Sequence, residues 1–258
     1  MNRGITSALA ALMMLALTAC SSVPANKVNS ADDLTGKSIG VQQGTTWDIF
    51  ASDVENAKVM RYNKGADAVA ALKDGKVDAV IIDEEPAKVF ISGDEGLRIL
   101  DESFAVEEYA IAVSKDNEEL LDALNSTLSE MQSDGTLDSI RSNWIGDETG
   151  SHPYITPEGT DHSKGTLTMA TNAEFPPYES LSGEAVVGID VDIMRCACDR
   201  MGMELQIENM DFDKIIPAVM DGTADAGVAG ITVTPEREEK VDFTIPYTTS
   251  TQVIIVRS

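Results

Sequence analysis

Cysteine, histidine and basic residues are scarce in this sequence, and each shortage excludes a class of chemistry. Of the three cysteines among 258 residues, Cys196 and Cys198 lie two positions apart on a predicted helix and point to different sides. They are poorly placed to form a disulfide with each other, so buried free thiols are expected. Both histidines, His152 and His162, lie ten residues apart in one loop-like stretch. That spacing gives little support for a metal site and leaves no histidine elsewhere to act as a catalytic base.

Positive charge is also in short supply. The chain has 19 Lys plus Arg against 44 Asp plus Glu, a formal net charge of −25 at pH 7. Such a chain repels nucleic-acid phosphates and anionic lipid headgroups, so no nucleic-acid partner is expected. Leucines at helical spacing between residues 120 and 131 form one apolar stripe, which indicates a packed core and no cofactor site. The sequence predicts neither a cofactor nor a metal.

The N-terminal residues have the features of an export signal. Residues 1–19 carry Arg3 and then an apolar run too short to span a membrane and remain there. The Leu-Thr-Ala-Cys that ends at Cys20 resembles a bacterial lipobox, which implies cleavage before Cys20 and lipidation of its sulfur. We expect an exported protein, anchored by lipid to the outer face of the cytoplasmic membrane through a tether at residues 20–30. Ordinary signal cleavage nearby is the alternative.

Strands and helices alternate through the rest of the chain, which predicts an α/β fold of two Rossmann-like lobes with largely parallel sheets. We expect one lobe at residues 31–113 and the other at residues 166–258. Between them, residues 114–145 should form helices that pack on the second lobe. Residues 146–165 contain Pro, Gly and both histidines and are typical of a linker.

A strand end followed by a turn and a helix start is predicted at residues 229–237, Ala-Gly-Ile-Thr-Val-Thr-Pro-Glu-Arg. Thr234 suits the N-cap and Pro235 the first helical position, so free N–H groups near Gly230 would attract an anion. Arg237, in the first helical turn, can grip a carboxylate through two hydrogen bonds. The alternative is a plain junction with a solvated arginine.

An internal repeat relates the two lobes. Residues 68–83 and 215–230 share one layout, a helix, an Asp-Gly stop and a strand containing Asp-Ala. Equivalent strand ends would place Asp83 opposite Gly230 across a cleft. An anion on one side and Arg237 on the other would complement an amino acid zwitterion. The turn at residues 44–46 is a second candidate anion site.

Seven segments together resemble the extracellular solute-binding proteins of family 3, which serve ABC importers of polar amino acids. These segments are residues 44–46, 78–86, 172–178, 188–192, 209–217, 229–237 and 241–247. The resemblance covers nearly all of residues 31–145 and 165–258. It implies the type II periplasmic-binding-protein fold, with a ligand held between two hinged lobes. It also implies a monomer that delivers an amino acid to a membrane permease.

The resemblance assigns roles by position. It implies that Phe175 and Phe212 form apolar walls around the ligand and that Asp83 accepts its ammonium group. The carboxylate site is implied at Gly230, Thr232 and Arg237, with Gly44 and Thr46 contributing from the other lobe. Asn172 stands where relatives that bind cationic ligands often have an acid. That difference makes Lys or Arg a less favoured ligand without excluding either, and leaves the identity of the amino acid open.

The order of the lobes differs from the family. There the Phe175 lobe comes first, whereas here it follows the Gly44 lobe, which indicates a circular permutation joined at residues 146–165. We expect the new ends to lie at the hinge, with Ser258 within about 15 Å of Ser30. Residues 109–113 would then be the one unbroken crossing between lobes.

Two other functions fit the same fold. Relatives of this family include dehydratases of cyclic acids, and Glu84, Glu85 or Glu174 could serve as an acid or base. A sensor acting through a separate receptor is the third possibility. The lack of histidine in the lobes and the zwitterion partners favour binding.

Overall fold

The computed structural model describes residues 23–103 and 105–258. The predicted signal peptide and the predicted lipidation of Cys20 lie outside the described residues. In the part of the chain that is described, no helix combines the length and apolar character needed to cross a membrane.

The first lobe is built on a sheet whose central strands are buried on both faces. Its strands are β1 (Ser38–Gln42), β2 (Lys58–Tyr62), β3 (Ala79–Asp83), β4 (Leu97–Ile99), β5 (Ala105–Tyr109) and β14 (Thr248–Arg257). The order is β2-β1-β3-β14-β4, with β5 also paired to β14. β1 is parallel to β2 and β3, and β14 is antiparallel to its neighbours. Every residue of β3 is buried, as its unbroken apolar run requires in a parallel sheet.

Three helices accompany this sheet. They are α1 (Thr46–Asp53), α2 (Gly65–Lys73) and α3 (Glu84–Ile91). The side chain of Thr45 caps α1 by accepting a hydrogen bond from the backbone N–H of Asp48, which fixes where the chain turns from β1 into the helix. A short 3-10 helix, Ala31–Leu34, precedes β1.

The second lobe has its own sheet. Its strands are β6 (Ala112–Val113), β7 (Thr166–Thr171), β11 (Glu204–Asn209), β12 (Ala226–Gly227) and β13 (Asp242–Phe243). They lie in the order β11-β7-β12-β6-β13. A small antiparallel sheet of β8 (Glu174–Phe175), β9 (Glu179–Ser182) and β10 (Ala185–Val187) lies beside it. The helices of this part are α4 (Glu118–Ser133), α5 (Thr136–Trp144), α6 (Ile189–Met201), α7 (Phe212–Met220) and α8 (Pro235–Glu238). The predicted α/β fold with two lobes is confirmed.

The predicted extent of the second lobe, residues 166–258, is wrong at its end. β14 pairs with β3 from Gln252↔Asp83 to Ile255↔Val80 and therefore belongs to the sheet of the first lobe. Its residues 252–257 are buried because they occupy a central position between β3 and β4. The apolar sequence of this strand predicts that it is buried, but it does not indicate to which sheet the strand belongs.

Two chain segments cross between the lobes, so the expectation of one unbroken crossing is also wrong. The first segment runs through β5 and β6, and the second runs from β13 into β14. The two segments pair side by side near the crossing, from Thr248↔Tyr109 to Gln252↔Ala105. The hinge is therefore a two-stranded antiparallel ribbon.

The linker at residues 146–165 lies along α6. Tyr154 and His162 contact the two carboxylate oxygens of Asp199, at 2.8 and 2.7 Å. The backbone N–H of Lys164 donates to the carbonyl of Gly202 at the end of that helix. Helices α4 and α5 pack on α6 as well, and Trp144 donates its indole N–H to Asp192. Residues 114–165 thus lie against the second lobe.

Gly188 is expected to be essential for folding. Its φ is 144°, and a Cβ there would lie 2.0 Å from the carbonyl oxygen of Tyr178, which accepts the N–H of Asp190. Gly188→Ala should lower the free energy of unfolding by about 3 kcal/mol or more, measured by urea denaturation. The control Gly183→Ala, at φ 64°, has a positive φ but open space around the new Cβ, and should lose about 1–2 kcal/mol. Equal losses in the two variants would contradict this explanation.

Candidate functional site

A narrow cavity lies between the lobes where their strand ends meet, and its volume of about 10 Å³ is close to the room that one water molecule needs. The residues that line it come from both lobes and are Gln42, Thr45, Thr46, Trp47, Asp83, Asn172, Phe175, Glu179, Phe212, Ala229, Gly230, Thr232 and Arg237. Parallel α/β sheets bind ligands at the carboxyl ends of their strands, which is the position of Asp83 at the end of β3.

Asp83 is a buried carboxyl group, and only one of its two oxygens accepts hydrogen bonds from the described residues. Its Oδ2 accepts hydrogen bonds from the indole N–H of Trp47 at 3.1 Å and the hydroxyl of Tyr109 at 2.5 Å. Its Oδ1 has no hydrogen-bond partner in the described residues. Burial, and to a lesser extent the charge of Glu107, raise the pKa of Asp83 to about 7, although the hydrogen bonds from its donors lower it. A cation beside Oδ1 would relieve this cost.

Glu179 and Asp190 form a second buried acidic group, on the other lobe. Both carboxyl oxygens of Glu179 lack a donor among the described residues. Asp190 accepts the N–H of Gly230 at 2.9 Å and the hydroxyl of Tyr247 at 3.0 Å. Burial and the charge of Asp190 raise the pKa of Glu179 well above its usual range, and burial raises that of Asp190 to about 6. Burial thus disfavours the charged form of both acids, and a cation placed beside them would offset that cost.

Arg237 spans the two lobes from the start of α8, whose N-cap is Thr234. Its Nη1 donates to the carbonyl of Thr232 at 2.7 Å, and its Nη2 donates to the carbonyl of Gly44, on the other lobe, at 3.1 Å. The guanidinium carbon lies 5.5 Å from the ring centre of Phe212, within the range of a cation–π contact. Burial lowers the pKa of Arg237, and the charge of Glu107 opposes that effect.

Two threonine hydroxyls meet at Glu107, on the hinge strand β5. Thr46 and Thr232 both donate to its Oε2, at 3.0 and 2.9 Å. Gln252 on β14 donates in turn to the hydroxyl oxygen of Thr46 at 3.0 Å. All four side chains are buried, so these hydrogen bonds are shielded from water.

Aromatic rings form the apolar part of the cavity wall. The ring of Phe175 lies 5.5 Å from Trp47, across the cleft, and 5.5 Å from Tyr178, on which it stacks. Tyr109 meets the edge of Tyr178 at 5.2 Å. These rings pack on one another, and the contact between Trp47 and Phe175 closes the apolar side of the cleft.

The lobes also touch each other directly. Asn172 accepts from Gln42 at 2.9 Å and donates to the carbonyl of Met210, so both ends of its amide are used within the protein. Lys64 and Glu174 form an ion pair at 2.6 Å across the cleft. The N–H of Gly230 is likewise committed to Asp190, and a Cβ at Gly230 would lie 2.8 Å from the Phe175 ring.

The structure brings eight of the nine residues predicted as ligand contacts to this one cavity, and Gly44 adjoins it through Arg237. Sequence reasoning missed Glu107 and Glu179 as site residues. Glu179 directly follows the segment 172–178 that resembles the family, and a glutamate after Pro-Pro-Tyr was the available signal. Glu107 lies next to Glu108, and no local pattern distinguishes the buried acid from the exposed one.

A family-wide sequence comparison matches residues 21–147 and 167–258 to the bacterial extracellular solute-binding proteins, family 3. The chain belongs to this family. The two matched segments leave out the linker and together cover most of the chain, and both lobes of the cleft fall within them.

Individual solute-binding relatives match over shorter stretches. The arginine-binding extracellular protein ArtP of Bacillus subtilis is 34% identical over 97 residues, which is 38% of each chain. The L-cystine-binding protein TcyJ of Escherichia coli K12 is 33% identical over 121 residues, 46% of each chain. A solved ancestral arginine-binding protein bound to arginine is 40% identical, with a TM-score of 0.32, over 34% of this chain and 39% of that one. The chain thus spans less than half the length of these relatives.

The described residues contain no group of three or more His, Cys, Asp or Glu side chains placed to hold a metal ion. Their free cysteines, Cys196 and Cys198, are both buried in α6, and burial raises the pKa of each thiol. Neither thiol lines the cavity.

The buried charge of Asp83 should make folding stability depend on pH. Its pKa is about 7 in the folded protein and near 3.8 when exposed, so the folded state holds the extra proton between these values. The stability that comes from this proton is therefore fully present below about pH 4 and is lost as the pH rises through 7. The loss in the free energy of unfolding is on the order of 4 kcal/mol. Asp83→Asn should remove that part of the slope in urea titrations at pH 4 to 8.

Asp53→Asn, at an exposed position on α1, is the matched control and should keep the parental slope. Glu179 and Asp190 shift in the same direction, so the informative quantity is the difference between the parent and Asp83→Asn. Parallel curves for these two proteins would refute the assignment of a protonated Asp83.

Proposed function

We propose that this protein binds a cationic L-amino acid in the cleft and delivers it to an ABC importer. The observation that carries the proposal is the presence of buried, unpartnered carboxyl oxygens on both lobes, at Asp83 and Glu179. Together with the nearby Glu107 and Asp190, they give the site an excess of acid over the guanidinium of Arg237. An amino acid with a second positive charge balances that excess better than a neutral zwitterion does.

The contacts support one orientation of the ligand. Its ammonium would lie at the free Oδ1 of Asp83, since that oxygen has no other donor. Its carboxylate would lie towards Arg237 and the hydroxyls of Thr46 and Thr232. Its side chain would then pass the aromatic faces towards Glu179, with the aliphatic part against Phe175.

Asn172 does not count against a cationic ligand. An amide in place of an acid lowered the expectation of a Lys or Arg ligand, but Asn172 is fully engaged with Gln42 and Met210. Glu179 supplies the negative charge instead. Relatives named as arginine-binding proteins, at 34% to 40% identity over about a third of this chain, are in keeping with this choice.

Family membership implies export of the protein. We further propose that the predicted signal peptide is removed before Cys20, that lipid on Cys20 holds the protein at the outer face of the cytoplasmic membrane, and that it acts as a monomer with a membrane permease. Binding without catalysis is favoured because each acid of the cavity is explained by charge balance, and the named relatives are binding proteins.

Glu179→Gln should discriminate between cationic and neutral ligands. A neutral amide cannot pair with a guanidinium, so calorimetry should show L-arginine binding weakened by about 2–5 kcal/mol, and L-glutamine binding unchanged or improved. Glu184→Gln, at an exposed position in the turn between β9 and β10, is the control. A thermal-shift panel of the common amino acids identifies the ligand beforehand, because a ligand of the folded state raises its stability. A panel in which only neutral amino acids act would overturn the cationic preference.

We also propose that the order of the chain is circularly permuted relative to the family. The support is the family match in two segments on either side of the linker, together with the location of β14 beside β3. Contrary to the expectation, Ser258 and the first described residues, from Val23, lie away from the hinge, near the far end of β14. There Ser258 donates its N–H to the carbonyl of Gly96, and Arg98 donates to the side chain of Asn29.

A rearranged chain tests this order. Residues 166–258 would be joined through a short Gly/Ser connection to residues 31–145, leaving out the linker. Because residues 23–29 and Ser258 lie close together, this protein should fold and bind the same amino acid with similar affinity. Its unfolding transition and calorimetric titration would be compared with those of the parent. A rearranged chain that unfolds, or folds without binding, would count against the permutation.

A further inference from the structure

Glu107 lies at the place that the ligand's carboxylate would need. The two hydroxyls assigned to that carboxylate, those of Thr46 and Thr232, both donate to Oε2 of Glu107. A hydroxyl has a single proton to donate. The ligand therefore receives these hydrogen bonds only if Glu107 releases them.

The surrounding hydrogen bonds fix this arrangement. Gln252, which is fully buried, donates to the oxygen of Thr46 and so directs the Thr46 proton towards Glu107. Thr46 belongs to one lobe and Thr232 to the other, while Glu107 lies on the hinge strand. One carboxylate oxygen thus joins the two lobes through the hydroxyl of each.

Arg237 is engaged in a parallel way. Its Nη1 and Nη2 donate to the carbonyls of Thr232 and Gly44, again one from each lobe. Glu107 also contributes a negative charge that raises the pKa of Arg237. The hydroxyls of Thr46 and Thr232 and two N–H groups of Arg237 are thus held by groups of the protein itself.

We propose that Glu107 is an internal competitor for the carboxylate of the ligand, which holds the threonine hydroxyls in the ligand's place and weakens binding of the carboxylate. It is a specificity-determining residue whose hydrogen bonds compete with the carboxylate end of the ligand. This inference rests on the proposed function, because it assumes an amino acid in the cleft.

The test compares L-arginine with agmatine, which has the same cationic side chain and amine but no carboxylate. Glu107→Gln removes the competing charge and keeps the shape of the side chain. In calorimetric titrations, the ratio of the Kd for agmatine to the Kd for L-arginine should rise about tenfold in this variant. A change in general attraction for cations affects both ligands and cancels in the ratio. A ratio that stays the same or falls would overturn the proposal.

Glu108→Gln is the matched control, since Glu108 is the adjacent residue on β5 and its side chain is exposed. Its ratio should equal that of the wild type. Unfolding curves of both variants show whether the fold is retained.

A crystal structure of the wild-type protein with L-arginine gives a test that needs no variant. The ligand's carboxylate should accept from Thr46 and Thr232, and the Glu107 carboxylate should lie beyond hydrogen-bond distance of both. A complex in which Glu107 still accepts both hydroxyls would refute the competition. Wild-type protein that binds no amino acid would overturn the proposed function and this inference together, whereas binding with an unchanged ratio overturns only this inference.

Discussion

Burial of acidic groups between two lobes is the constraint on which the rest of this structure depends. A carboxylate removed from water is costly unless a donor or a cation reaches it, and Asp83 and Glu179 retain oxygens without either. The cost falls on the cleft, which is where a ligand's charge can offset it. Differential stabilisation of the closed arrangement is the condition for a ligand to drive closure. Stability and binding are therefore coupled through the same side chains.

The hinge places those side chains. β5 and β14 run side by side between the lobes, and their Glu107, Tyr109 and Gln252 hydrogen-bond to residues that line the cavity. A two-stranded ribbon constrains twist and separation better than a single strand, because each strand's backbone groups are paired with the other's. The lobes meet with Arg237 reaching Gly44 and Gln42 reaching Asn172, so closure brings together partners far apart in the sequence. The contacts that join the lobes are thus made mostly by residues that line the cavity.

Local patterns anticipated the ligand-facing strand ends better than the connections between them. The repeat of residues 68–83 and 215–230 placed Asp83 opposite Gly230, and both line the cavity. The helix start at Thr234 and Pro235 was also recognisable, because capping depends on neighbours in sequence. The placement of β14 was not recognisable, since an apolar strand fits either sheet until its pairing partners are known. For the same reason, the predicted extent of the second lobe wrongly included β14.

The sequence by itself determined the alternation of strands and helices, the net acidic charge, the start of α8 and the positions of most cavity residues. Those features depend on periodicity, composition and short-range capping. Tertiary structure decided which acids are buried, because Glu107 and Glu108 are adjacent and only the fold turns one inwards. It also decided which donors are already used, since the hydrogen bonds from Thr46 and Thr232 to Glu107 join residues 61 and 125 positions apart. Charge balance in the cleft is a property of that arrangement and cannot be read from any one segment.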